Sequence, residues 1–323
     1  MAENKKRLAV VHDWPVDYEQ EYTWRDGLCA AIKELINRDH EIKFWVEGEK
    51  GKINHPYFPI CVSNDIAKEV KEFNPDVILC WGDLTRPNAP KLHKLGIPMA
   101  LCFAGGDTLQ VNLPYFEHIF VESQVYFDRF TVQGKSVSVA FGTNTELFKP
   151  ISQTKIFDVI FPATYCEWKR HKLFAQATEG LKTVTAGYKY YTHEQYCYEL
   201  FNKSANLTLP HVSAETLNQL YTASKVCLIT STAQGGSQRT VLEAIACNIP
   251  VITMSDSDKT SEYLRDSGLG KIVEPDPEAI REAINYYLAN PVIDSRNYIL
   301  KKWSHLTYAD NLEKGLCLIS QSK

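Results

Sequence analysis

Short apolar runs alternate with amphipathic stretches along almost the whole chain, and that alternation sets the fold class. Residues 8–11, Leu-Ala-Val-Val, form a continuous apolar run, as a strand buried on both faces requires. Residues 24–37 place Leu28, Ala31, Ile32, Leu35 and Ile36 at helical spacing. Residues 41–46, 77–80, 99–102, 119–121 and 137–139 read as further strands, with helices at 66–73, 91–95 and near 123–132. Buried strands alternating with amphipathic helices predict a parallel sheet covered on both sides.

The pattern restarts after Pro150. Strands are expected at 158–161, 183–186, 207–209, 226–229, 251–253 and 271–273. Helices are expected at 169–179, 193–202, 213–223, 237–247, 260–266, 277–289 and about 295–319. The 323 residues, at about 150 per domain, allow two such units. The polar segment 143–154 is the expected linker. The domains are taken as 1–148, 149–300 and a final helix 301–323 that crosses back onto the N-terminal domain through Tyr298, Leu300, Trp303, Leu306 and Leu312.

Composition narrows the function. A net charge of −4 gives no general basic footprint for nucleic acid. The nine cysteines are scattered, with no C-x-x-C pair, which argues against a zinc knuckle or redox centre and for buried thiols in a reducing compartment. No apolar run has the length of a membrane span or of a signal-peptide core, so a cytoplasmic location is expected. Lys5-Lys6-Arg7 is a short basic mark for a peripheral membrane contact. No G-x-G-x-x-G follows the first strand and no G-x-x-x-x-G-K-[ST] exists, which disfavours a dehydrogenase and a P-loop nucleotidase.

Chemistry concentrates at strand ends, where doubly wound sheets bind ligands. Residues 231–239 form a small, polar turn opening a helix. Gly235 and Gly236 permit close backbone approach, the helix N–H groups favour an anion, and Arg239 lies in the first turn. By itself the glycine pair reads equally as an ordinary turn. The loop 12–24 carries aromatics and carboxylates suited to a sugar face and its hydroxyls. His12 or Asp13 could orient an incoming hydroxyl there, although a loop packing its own aromatics has the same composition. Asp107, after Gly105-Gly106, is a second such carboxylate, or a turn former.

Longer segments carry a resemblance. Thr240-Val-Leu-Glu-Ala-Ile-Ala-Cys-Asn-Ile-Pro-Val-Ile-Thr is similar to the donor-site signature of GT-B glycosyltransferases of the retaining family 4 kind, the glycosyl transferases group 1. Arg38-Asp-His-Glu-Ile, Asn74-Pro-Asp-Val-Ile, Leu95-Gly-Ile-Pro-Met and Phe141-Gly-Thr-Asn-Thr-Glu-Leu-Phe-Lys-Pro resemble further family segments, in family order. The resemblance implies two Rossmann-like doubly wound domains facing a cleft. It also implies transfer of a hexosyl group from a nucleoside-diphosphate sugar (UDP- or GDP-linked) with retention.

Glu243 takes the place of the family's ribose-binding Glu, and its apolar neighbours demand a hydroxyl or basic partner. The family's other signature Glu, which contacts the sugar, falls on Gly235, with Gln234 adjacent. Its diphosphate Arg falls on Ala163 or Thr164, its Lys on Lys169, and its loop His on Ala104. Arg170 and Arg239 are the candidates to replace the missing Arg. A departing diphosphate gains negative charge, so Lys169, Arg170, Arg239 and the N–H groups of residues 235–238, including Ser237 and Gln238, form the expected stabilising set. No obligatory metal or other cofactor is expected. The acceptor (saccharide, lipid-linked glycan, protein or modified nucleic-acid base) stays open. Two other readings share the fold: a sugar-nucleotide epimerase or hydrolase, and a nucleotide-sugar binder that has lost the chemistry.

Overall fold

The computed structural model describes residues 5–12, 27–49, 51–55, 57–82, 88–103, 113–187, 199, 205–209, 212–235, 238–265, 267–291 and 294–320. The chain divides into two units: Met1–Gly142 with His305–Lys323, and Thr143–Ser304. No described helix is long and apolar enough to cross a membrane.

In the first unit the strands are β1 (Arg7–His12), β2 (Glu41–Glu47), β3 (Gly51–Asn54), β4 (Pro59–Ser63), β5 (Val77–Gly82), β6 (Met99–Phe103), β7 (His118–Val121) and β8 (Ser136–Val139). Helices α1 (Gly27–Asn37), α2 (Ile66–Phe73), α3 (Asn88–His93) and α4 (Gln124–Thr131) lie between them. The sheet order is β3-β4-β2-β1-β5-β6-β7-β8, parallel except for β3 against β4. Side chains alternate across a strand. Leu8 and Val10 pack with Leu28, Ile32 and Leu35 of α1, while Ala9 and Val11 pack with Val70, Leu92 and Phe130 from the other helices. Both faces being covered, the strand core has to be apolar at every position. Two short elements depart from that rule and from the expectation. Gly51-Lys-Ile-Asn is the edge strand and pairs antiparallel with the short strand Pro59-Ile-Cys-Val-Ser, which lies between it and β2.

The helix expected at 295–319 is two helices. The first, Arg296–Lys302, belongs to the second unit, and the closing helix, His305–Ser320, belongs to the first. The break is at Trp303, whose backbone (φ −134°, ψ 21°) leaves the helix and whose carbonyl accepts the Thr143 N–H at 2.9 Å. The expected packing face is corrected too. Leu300 and Leu306 are exposed, and Trp303 packs edge-on against Tyr263 inside the second unit. Tyr308, Ala309, Leu312, Leu316 and Ile319 are the residues that join the first unit's core. Arg38 ties this helix down through Asp310 (2.7 Å) and Glu313 (2.8 Å).

The second unit contains β9 (Phe157–Pro162), β10 (Thr183–Ala186), β11 (Leu207–Leu209), β12 (Ser224–Ile229), β13 (Val251–Met254) and β14 (Gly270–Val273). Its helices are α5 (His171–Ala177), α6 (Ala214–Thr222), α7 (Arg239–Ala246), α8 (Asp258–Arg265), α9 (Pro277–Ala289) and α10 (Arg296–Lys302). The helix expected at 193–202 lies, apart from Glu199, outside the described residues. The sheet is parallel throughout, in the order β11-β10-β9-β12-β13-β14. Chain order reverses between β9 and β12. The loops leaving their carboxyl ends therefore diverge, and this is where a doubly wound sheet opens a crevice for ligands.

Candidate functional site

The loops after β9 and β12 meet at that reversal. The first runs through Thr164 to a single turn, Glu167–Lys169, and then into α5 at His171. His171 is buried, and burial pushes its imidazole down to about 3, so it is neutral. Its Nε2 stands 3.0 Å from the Thr164 carbonyl and fixes the turn. Gly187, just past β10, underlies the same loop. A Cβ there would fall 1.8 Å from the Ala163 carbonyl oxygen, so only glycine allows the approach.

The second loop contributes the turn Ala233–Gly235 and then Gln238, the residue that precedes α7. The two loops are joined by main chain. The Thr232 N–H donates to the Trp168 carbonyl at 2.9 Å, and the Thr230 hydroxyl donates to the Lys169 carbonyl. They are also joined by side chain: the Lys169 ammonium donates to Gln238 Oε1, and Gln238 Nε2 donates to the Gly235 carbonyl. Lys169 is 8% exposed, and burial lowers its pKa from 10.5 to about 8. Among the described residues no carboxylate lies within ion-pair distance of its amine. An ammonium buried without an anion is costly, and the bond to an amide oxygen offsets only part of that cost.

Thr164, Lys169, Gln234, Gly235, Gln238 and Arg239 are thus gathered at one edge of the sheet, with Arg239 opening α7. Arg170 is at the same edge, but its guanidinium makes a two-pronged ion pair with Asp256, Nη1 to Oδ1 at 3.1 Å. Glu243, in the second turn of α7, is 1% exposed and accepts the Tyr221 hydroxyl at 2.9 Å. That hydroxyl is the partner its apolar setting demanded. Gly236, Ser237, Asp13 and Asp107 lie outside the described residues. His12 ends β1 in the first unit, its ring edge-on to Trp81 at 4.3 Å.

Sequence reasoning missed Lys259, Asp256, Tyr221 and Gly187. Lys259, in the first turn of α8, is 2% exposed, and its ammonium donates to the Ala233 carbonyl at 3.2 Å. Its position shortly after a strand was the one available signal. The run Asp256-Ser-Asp-Lys otherwise reads as a solvated helix start.

Two parallel-sheet units of this kind define a GT-B protein, and solved structures carry the same fold at low identity. HepE (Alr3699) of Anabaena, in complex with UDP and glucose, superposes with a TM-score of 0.75 at 14% identity, covering 97% of this chain and 100% of that one. A glycosyltransferase from Rickettsia africae ESF-5 gives 0.72 at 15% identity, covering 99% and 100%. A trehalose-6-phosphate structure from E. coli, bound with UDP-2-fluoro glucose, gives 0.70 at 12% identity, covering 96% and 98%. No curated protein matches the sequence. Residues 144–302, almost the whole second unit, match the family of glycosyl transferases group 1.

Proposed function

We propose that the chain is a glycosyltransferase that moves a hexosyl group from a nucleoside-diphosphate sugar, UDP- or GDP-linked, to an acceptor, with retention of configuration. The observation that carries this reading is Lys169, a buried ammonium with no carboxylate partner among the described residues, set against the turn that opens α7 at the sheet's reversal point. Such a cation lacks an anion, and a diphosphate at a helix N-terminus supplies one. The family match of the second unit and the UDP complexes among the structural neighbours favour the same ligand.

In this reading Lys169, Arg239 and the N–H groups at the start of α7 receive the diphosphate and hold the charge that grows as the glycosidic bond breaks. Donors already oriented in a buried site need little reorganisation as that charge develops, so the transfer is proposed to run without an obligatory metal. Glu243 takes a ribose hydroxyl through Oε1 while Tyr221 holds Oε2. Arg170, neutralised by Asp256, steadies the loop and is dropped from the set that meets the leaving group. Asp13 and Asp107 stay as proposed acceptor-side carboxylates.

Titration calorimetry with UDP and GDP tests the site, and mass detection of sugar transfer from UDP- and GDP-hexoses, with and without EDTA, tests the reaction. Micromolar nucleotide binding that Lys169→Met weakens, together with EDTA-resistant transfer, is expected. Nucleotide bound with no sugar moved on any acceptor would instead make the chain a binder that has lost the chemistry. Neither UDP nor GDP bound would end the reading.

A further inference from the structure

Lys259 has no place in the cation set read from the sequence, yet it touches the same turn. Lys169 reaches the Ala233–Gly235 turn from the loop after β9, through Gln238, which bonds the Gly235 carbonyl. Lys259 reaches it from the start of α8, through the Ala233 carbonyl. The turn is therefore held by buried ammonium groups from the strand loops on both sides of β12. Arg170, the neighbouring cation, is already matched by Asp256. A buried lysine bonded to a carbonyl both fixes that carbonyl's peptide and adds positive charge beneath whatever the turn binds. Fixing Ala233 fixes the peptides that follow it, up to Gly235, whose N–H closes the turn on Thr232 at 3.0 Å.

We propose that Lys259 is a positioning residue of the anion site, holding the Ala233–Gly235 turn by its carbonyl and adding a second buried positive charge for a nucleoside diphosphate. The proposal rests on the donor-site reading for its ligand, and on geometry alone for its grip on the turn.

Three variants separate the two effects. Lys259→Gln keeps a donor for the carbonyl and removes the charge, Lys259→Met removes both, and Lys259→Arg keeps both. Hydrogen exchange of residues 231–239 in nucleotide-free protein reads the grip. Exchange faster in Lys259→Met than in wild type, with Lys259→Gln close to wild type, is expected, and unchanged exchange in Lys259→Met overturns the proposal. Calorimetry with UDP, at several salt concentrations, reads the charge. Binding about tenfold weaker or more in Lys259→Met, intermediate in Lys259→Gln and restored in Lys259→Arg is expected, with a shallower salt dependence in the two uncharged variants. Wild type that binds UDP and Lys259→Met that binds it equally well overturn the role of Lys259 and leave the donor-site reading standing. Wild type that binds neither UDP nor GDP overturns the donor-site reading itself.

Discussion

Replacing Lys169 by Met is expected to make the free protein more stable and a poorer nucleotide binder at the same time. Burial lowers the lysine from 10.5 to about 8. At about 1.4 kcal/mol per unit, keeping the ammonium buried costs the native state about 3 kcal/mol. Methionine matches the stem and removes that cost, while the lost bond to Gln238 returns about 1 kcal/mol. The variant should therefore gain about 2 kcal/mol at neutral pH.

The pH dependence fixes the sign. Below pH 8 the lysine is protonated in both states and the full penalty applies. Between about 8 and 10.5 the unfolded chain holds a proton that the native chain has released, so wild-type stability rises with pH. The advantage of the variant shrinks accordingly and is close to nil by about pH 9.5. Urea unfolding of nucleotide-free protein at pH 7 and 9.5 reads the difference, and UDP calorimetry reads the loss of affinity, expected at about ten- to a hundredfold. A variant less stable than wild type at pH 7, or a gap that does not change with pH, would refute the argument that this amine is held at a cost.

Gly187→Ala places a methyl 1.8 Å from the Ala163 oxygen. It should cost about 2–3 kcal/mol in urea unfolding and weaken UDP binding with it, because Ala163 leads into the Thr164–Lys169 loop. Tyr221→Phe leaves the buried Glu243 carboxylate without its donor and should cost about 2 kcal/mol. Combining it with Glu243→Gln should cost less than the sum of the two single changes, as a double-mutant cycle measures. In the first unit, burial alone would raise the Glu313 carboxyl, but bonds from His40 and Arg38 more than offset this and hold it below its usual value. Its contribution to docking the closing helix is thus present above the ordinary carboxylate range and lost as pH falls through the lowered value. Arg38→Ala should cost about 1–2 kcal/mol at pH 7, and the difference from wild type should shrink in acid melts.

What could be seen in advance followed from burial. Strands covered on both faces need apolar residues at every position, so residues such as Leu8, Ala9, Val10 and Val11 announce themselves. Edge strands have no such need. Gly51–Asn54 shows two exposed positions at its start and carries a single apolar residue, Ile53. The break at Trp303 was equally hidden. Apolar residues recur at helical spacing on both sides of it, and what ends the helix is a hydrogen bond from Thr143, some 160 positions away in sequence.

The site divides along the same line. The placement of the glycine-bearing turn and of Lys169 beside strand ends was legible because it is carried by local order: strand, loop, helix start. What Arg170 and Lys259 face was not legible, because a cation's worth depends on its surroundings and sequence shows only that a cation is there. Arg170 is the better anion binder by shape, yet Asp256 occupies its fork. Lys259 sits beside two aspartates in sequence and looks solvated, yet it is among the most deeply buried large side chains. Buried lysines at one turn would be a poor arrangement for stability alone, since a hydrophobic side chain of similar volume fills the same space without the desolvation cost. Their concentration at the point where the sheet reverses is what an anion-binding edge requires, and it is the reason the stability and binding measurements on Lys169 should move in opposite directions.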